Sequence, residues 1–374
     1  MTSRKVVLLA LLAGALTLLV AQAGFAEHGN SGKRAKKHDQ GQSALAPAPK
    51  HIFVIMLENH SKSSVIDDSN APFITQLAHT TAMASNYYGV THPSEPNYVA
   101  AISGSNWFVN NDNPANRFDH TNIVDQLEAN GLTWGAYMES MPSAGYLGDQ
   151  WPSNAALYAS KHNPFVLFTD IRNDPARLAH DKPYTELAND LRKASTTPNF
   201  VWITPNQCHD MHGGVYVDVG GGSPCPYGSA KDDAADASLK QKADDFVKGA
   251  VQLIESSQAW KTGPAAIFIV TDENDYTGNP ATDGWESADG CCDSPVVSAG
   301  NPDVPGWGGG VYGGGQIPAV VVTNRGKTGG YVDDTSYNHY SLLATIEQVW
   351  GLGYLGNASD RAQVPTMAGF LSNK

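Results

Sequence analysis

The sequence predicts an α/β protein whose central sheet is mostly parallel and flanked by helices, and three observations carry that prediction. His51–Leu57, Phe200–Thr204, Ala265–Val270 and Pro318–Thr323 are nearly continuous apolar runs, as strands covered on both faces require. Helical spacing separates them, and the alternation of strand and helix is the pattern of α/β folds. Several of these runs also end in a polar patch, at the place where open α/β sheets collect functional groups.

Taken in order, residues 1–26 place Arg4 and Lys5 before the apolar run Val6–Val20 and then small residues, which reads as a cleaved secretory leader. The run is short for a membrane span, so an anchor is the weaker reading. Residues 27–50 carry Lys33, Arg34, Lys36 and Lys37 with no apolar period and read as a disordered basic linker. Residues 51–374 then form the expected single domain, to be found outside the cytoplasm, in the periplasm or medium. The first strand run stops at Glu58-Asn59-His60-Ser61, an acid and an amide at a strand end. Pro72–Thr80 reads as a short helix.

Met83–Val90 reads as a strand that ends at Thr91-His92-Pro93-Ser94-Glu95-Pro96-Asn97-Tyr98. Pro96 suits the first turn of a helix, and Ser94 just upstream can cap that helix or act as a nucleophile. The free N–H groups of such a terminus favour an anion, a phosphoryl group above all. Asn122–Asn130 has helical spacing and stops at Gly131, after which Leu132–Tyr137 returns as a strand. Trp107–Asp119 and Ser140–Pro164 show no period and read as long loops able to wall a pocket.

The Phe200–Thr204 run leads into Cys208-His209-Asp210-Met211-His212, where an acid and two imidazoles follow a strand. Asp232–Ser257 reads as a long amphipathic helix. Ala265–Val270 delivers Thr271-Asp272-Glu273-Asn274-Asp275. Adjacent carboxylates at the end of a buried strand repel unless a cation neutralises them, which points to a metal. Asn279–Gly315 is a Gly-rich insertion, Pro318–Thr323 the last strand, and Tyr337–Tyr340 the start of a final helix that places His339 at its mouth.

The net charge of −13 argues against a nucleic-acid partner, because phosphate backbones require clustered Lys and Arg. It suits a carboxylate-rich cation site, or serves solubility alone. Cys208, Cys225, Cys291 and Cys292 in an exported chain imply disulfides, with three pairings open. No oligomeric state follows from these features.

Four separated patches, Leu57–Ser61, Thr91–Tyr98, Thr271–Asp275 and Asn338-His339-Tyr340-Ser341-Leu342-Leu343, together resemble the phosphoesterase family of secreted acid phosphatases and phosphatidylcholine-type phospholipases C, within the alkaline phosphatase-like superfamily. The resemblance implies a metal-dependent hydrolase of phosphate monoesters with Ser94 as nucleophile and a phosphoserine intermediate. It implies one divalent ion held by Glu58, Asn59, Ser94, Asp272 and Glu273, although Glu273 replaces the second Asp of some members. Oxygen ligands suit Ca²⁺, Mg²⁺ or Mn²⁺, and added imidazole admits Zn²⁺ or Fe. His212 and His339 are the expected proton donors, and His92, Asn97, His209 and Asp210 the expected substrate contacts. The substrate is then a small phosphorylated molecule. A phospholipase C with transient lipid contact and a non-catalytic cation-binding protein are the alternatives.

Overall fold

The computed structural model describes residues 48–220, 224–228, 233–275, 287–302, 304 and 306–372. The expected leader, all but the end of the basic linker and the start of the Gly-rich insertion lie outside them.

The central sheet is built from β1 (His51–Leu57), β2 (Ala82–Tyr88), β3 (Trp134–Met138), β4 (Asp181–Pro183), β5 (Phe200–Thr204), β6 (Ala265–Thr271), β7 (Gln316–Ile317), β8 (Ala319–Thr323) and β9 (Tyr331–Asn338). From β8 the order runs β6, β1, β5, β3, β4, and from β6 to β4 every neighbouring pair is parallel. β8 inserts antiparallel between β6 and β2, β7 also pairs antiparallel with β2, and β9 lies parallel on the far edge of β2. The expected α/β class with a mostly parallel sheet is therefore the observed one.

Alternation along β1 shows how both faces are covered. Ile52, Val54 and Met56 join one apolar cluster with α2 (Ser94–Ser103), α3 (Ile123–Ala129) and α5 (His339–Trp350). Phe53, Ile55 and Leu57 join a second cluster with α1 (Pro72–Thr80) and α4 (Ala234–Ser256). Every residue of β1, β3, β5 and β6 is buried, the condition that made these runs apolar without alternation. Among the described residues no helix is long and apolar enough to cross a membrane.

Two expectations change, and one short strand was not anticipated. Pro318–Thr323 is not the last strand: β9 follows it, an edge strand with Asp333 and Asp334 whose half-exposed, polar pattern hides its register from a hydrophobicity reading. Asp181–Pro183, too short to show a period, is likewise a strand. Ser94 is not a cap, because helix α2 begins at Ser94 with Pro93 before it and no side-chain cap bond. The cysteines pair as Cys208–Cys225 and Cys291–Cys292, the latter between neighbours in the chain.

Candidate active site

The parallel register of β1 and β6 pairs Leu57 with Thr271, which sets the following residues, Glu58-Asn59 and Asp272-Glu273, side by side at the carboxyl edge of the sheet. Their backbones are tied together. The Asn59 N–H donates to Asp272 Oδ1 at 3.0 Å, and the Glu273 N–H donates to the same oxygen at 2.7 Å. β2 leads into the third component. Gly89 passes so close beneath Asp272 that a Cβ there would lie 2.7 Å from the Asp272 carbonyl oxygen, so glycine is required on steric grounds.

Asn97, one turn into α2, closes the loop back on itself. Its carboxamide oxygen accepts the Val90 and Thr91 N–H groups at 2.8 and 3.1 Å, and its nitrogen donates to the Thr91 carbonyl at 2.7 Å and to Glu273 Oε2 at 3.3 Å. That turn aims the Ser94 hydroxyl into the acids, where it donates to Glu58 Oε2 at 3.0 Å and lies 3.4 Å from Glu273 Oε1. The helix mouth is less open to an anion than the sequence suggests. Pro96 has no N–H, and the Glu95 N–H is taken by Asp112 Oδ1 at 2.9 Å.

Glu58, Asp272 and Glu273 are fully buried within this one cluster. Burial, then the neighbouring Asp272 and Asp210 charges, holds the Glu58 carboxyl well above the usual range. Burial followed by Asp272 does the same to Glu273, and burial pushes Asp272 up to about 7. Such groups are stable as anions only beside a cation. The chemistry of the donor set, three fully buried carboxylates in one cluster, suits a divalent ion. The end of the Asn59 carboxamide that faces the acids lies 3.2 Å from both Glu58 Oε2 and Glu273 Oε1, and with its nitrogen there it donates to both carboxylates. Asp272 Oδ2 is buried without a hydrogen-bond partner, one more oxygen available to such an ion.

A second group borders the acids. Asp210 follows β5, and its backbone carbonyl accepts the Glu58 N–H at 2.7 Å. Its Oδ1 accepts the His212 N–H at 2.8 Å. His212 donates Nδ1–H to the Gly213 carbonyl at 3.0 Å, which turns Nε2 toward Lys161 Nζ at 3.3 Å. Lys161 also pairs with Asp112 at 2.9 Å, and the charges of Asp112, Glu58 and Glu273 raise its proton affinity against the cost of burial. His162 sits 3.2 Å from Glu58 Oε1 and 3.5 Å from Asp210 Oδ2, stacked on Tyr98. Together Glu58, His162 and His212 have a spacing compatible with metal ligation.

Sequence reasoning missed Lys161 and His162. They ride on a single turn, Ser160–His162, inside a stretch without periodicity, and the only available signal was a Lys-His pair in an acidic chain.

The remaining candidates have other surroundings. His339 donates Nε2–H to the Asp272 carbonyl at 2.7 Å and accepts from the Tyr87 hydroxyl at 3.2 Å, and burial lowers it to about 4. His92 donates Nε2–H to Asn274 at 2.8 Å, and its Nδ1 lies 2.8 Å from Glu273 Oε2. His339 thus holds the Asp272 backbone, and His92 braces the Glu273 carboxylate. His209 pairs with Glu139 at 2.8 Å, and none of its described bonds reaches the acid cluster. His60, Asp236 and Asp275 form another buried group, but His60 Nε2 and Lys240 Nζ each lie 2.8 Å from Asp236, so that carboxylate already has its cations.

A family model described as the Phosphoesterase family matches residues 64–223 and 227–353. A probable acid phosphatase of Kluyveromyces lactis is 29% identical over 323 residues, a span of 84% of this chain and 61% of that relative. The chain thus spans about six-tenths of the length of that fungal protein. A phosphatidylinositol-3-phosphatase of Mycobacterium tuberculosis is 27% identical over 320 residues, 84% of this chain and 82% of the relative. Among solved structures, a protein in the alkaline phosphatase superfamily from Vibrio parahaemolyticus superposes over 85% of this chain and 73% of its own, at 13% identity and a TM-score of 0.47.

Proposed function

The chain belongs to the phosphoesterase family, and from that premise we propose that it is a secreted, metal-dependent phosphomonoesterase that works through a phosphoserine at Ser94. The observation that carries this reading is the Ser94 hydroxyl at the mouth of α2, 3.0 Å from Glu58 Oε2 and 3.4 Å from Glu273 Oε1, among fully buried carboxylates. Glu58, Asn59, Ser94, Asp272 and Glu273 would hold one divalent ion. When bound, that ion neutralises phosphoryl oxygens and makes the serine hydroxyl more acidic.

The chain's own groups divide the remaining work. Ser94 Oγ attacks phosphorus, gives up its proton toward Glu58 and forms the P–O bond as the ester oxygen departs. Lys161, the ammonium beside this acidic cluster, faces the transferring group and offsets its charge. His212 stands in the resting site as a neutral imidazole, lowered to about 3 by burial and Lys161. A dianionic ester arriving beside it raises its proton affinity, so that Nε2 takes up a solvent proton, gives it to the leaving oxygen and then accepts a proton from the water that hydrolyses the phosphoserine, while Glu58 returns its proton to the released Ser94 Oγ. Asp210 orients His212, Asn97 and His92 hold Glu273, and His339 holds the Asp272 backbone. The leader-like residues 1–26 and the two disulfides support export.

The test is Ser94→Ala assayed on a chromogenic phosphate monoester with metal supplied, alongside acid-quench trapping and peptide mapping of the parent. Turnover should vanish in the variant and phosphate should map to Ser94. Undiminished turnover, or phosphate trapped on another residue, overturns the assignment.

A further inference from the structure

A cavity of roughly 530 Å³ opens beside the Ser94 turn, with Thr91, His92 and Pro93 as its inner wall. One imidazole separates it from the acids, because His92 both lines the cavity and lies 2.8 Å from Glu273 Oε2. The facing wall includes Val297, Val304 and Tyr312. At the rim stand Phe108, 97% exposed, and Val296, 78% exposed. Large apolar side chains held this far into water beside a concave apolar wall are the composition of a ligand site. Charge narrows the occupant. Asp293 is the one charged residue among the described lining, which includes no lysine or arginine.

We infer that this cavity is the leaving-group subsite, and that the enzyme prefers phosphate monoesters of uncharged aromatic or short aliphatic alcohols over esters whose alcohol carries a second anion. This rests on the phosphomonoesterase reading. An aromatic ring reaching from a phosphoryl group at Ser94 past Pro93 and His92 covers Phe108 and the valine wall and removes their apolar surface from water. A second phosphate or carboxylate there meets Asp293 and no countercharge, so it loses its hydration without compensation.

The experiment compares kcat/KM ratios in the metal-supplied full-length enzyme, so that intrinsic differences in ester reactivity cancel between parent and variant. Phe108→Ala should lower the ratio of naphthyl phosphate to β-glycerophosphate roughly tenfold, the scale of one lost apolar contact. Val296→Lys should raise the ratio of para-carboxyphenyl phosphate to phenyl phosphate roughly tenfold, by supplying the missing cation. Both positions are exposed at the rim, so the variants test contact and charge rather than folding. If either ratio stays within about twofold of the parent while the esters are still turned over, the subsite is wrong and the phosphomonoesterase reading stands. If the parent turns over none of the four esters, the underlying reading falls and the subsite with it.

Discussion

Asp272→Asn tests the metal site most sharply, because the structure fixes what the substitution keeps and what it removes. Oδ1 accepts the Asn59 and Glu273 N–H groups and survives in asparagine, whereas Oδ2, buried and without a hydrogen-bond partner, becomes an NH₂. The variant therefore keeps the turn and loses one carboxylate charge from the proposed ligand set. In the parent, free metal at a hundredfold excess over Kd stabilises the fold by about 2.7 kcal/mol. For a folded body of roughly 320 residues with an unfolding entropy of about 2.1 cal/mol/K per residue, that corresponds to a Tm difference of about 4 °C between loaded and chelated protein. If the lost charge weakens affinity about a hundredfold, the same metal concentration leaves about 0.4 kcal/mol, under ~1 °C. Chelated Asp272→Asn should also melt above chelated parent, since it no longer adds charge to the buried Glu58 and Glu273. Melting curves with and without chelator, together with elemental analysis, provide the assay. A parent with no bound ion and no chelator effect would refute the metal reading, and equal chelator effects in the two proteins would remove Asp272 from the ligand set.

The remaining expectations concern other groups. Lys161→Met should lower kcat/KM on phosphate monoesters roughly a hundredfold, because it removes the cation beside His212 and the acids; steady-state kinetics equal to the parent would take Lys161 out of the site. Glu347 in α5 is buried, accepts the Leu355 N–H at 2.8 Å, and is pushed by burial from 4.5 up to about 8. Its folded-state pKa is raised, so its favourable contribution is complete below about pH 4.5 and is lost as pH rises toward about 8, roughly 3 kcal/mol by pH 7. Glu347→Gln, which keeps the acceptor, should flatten that decline in denaturant titrations across this range, and an unchanged pH slope would refute the assignment.

Much of this protein was determined by local sequence. Strands buried on both faces must be apolar throughout, so β1, β5 and β6 announced themselves, as did Glu58, Asn59, Asp272 and Glu273 at their ends. Apolar spacing placed the starts of α3, α4 and α5 to within one or two positions, where the structure finds Asn122, Asp233 and Asn338 as caps. Tertiary structure alone decided the rest. The register Leu57 to Thr271 across 214 positions of chain brings two acidic patches together, and no local pattern encodes a pairing of that range. Lys161 and His162 reach the site from an aperiodic loop because Tyr98, Glu58, Asp210 and Asp112 receive them, and those partners come from four other parts of the chain. A histidine's residue type states that it can bind, donate or accept. Whether His339 meets a substrate or its own Asp272 backbone depends on where the ring points, and that is set by the packing of α5 against the edge of the sheet.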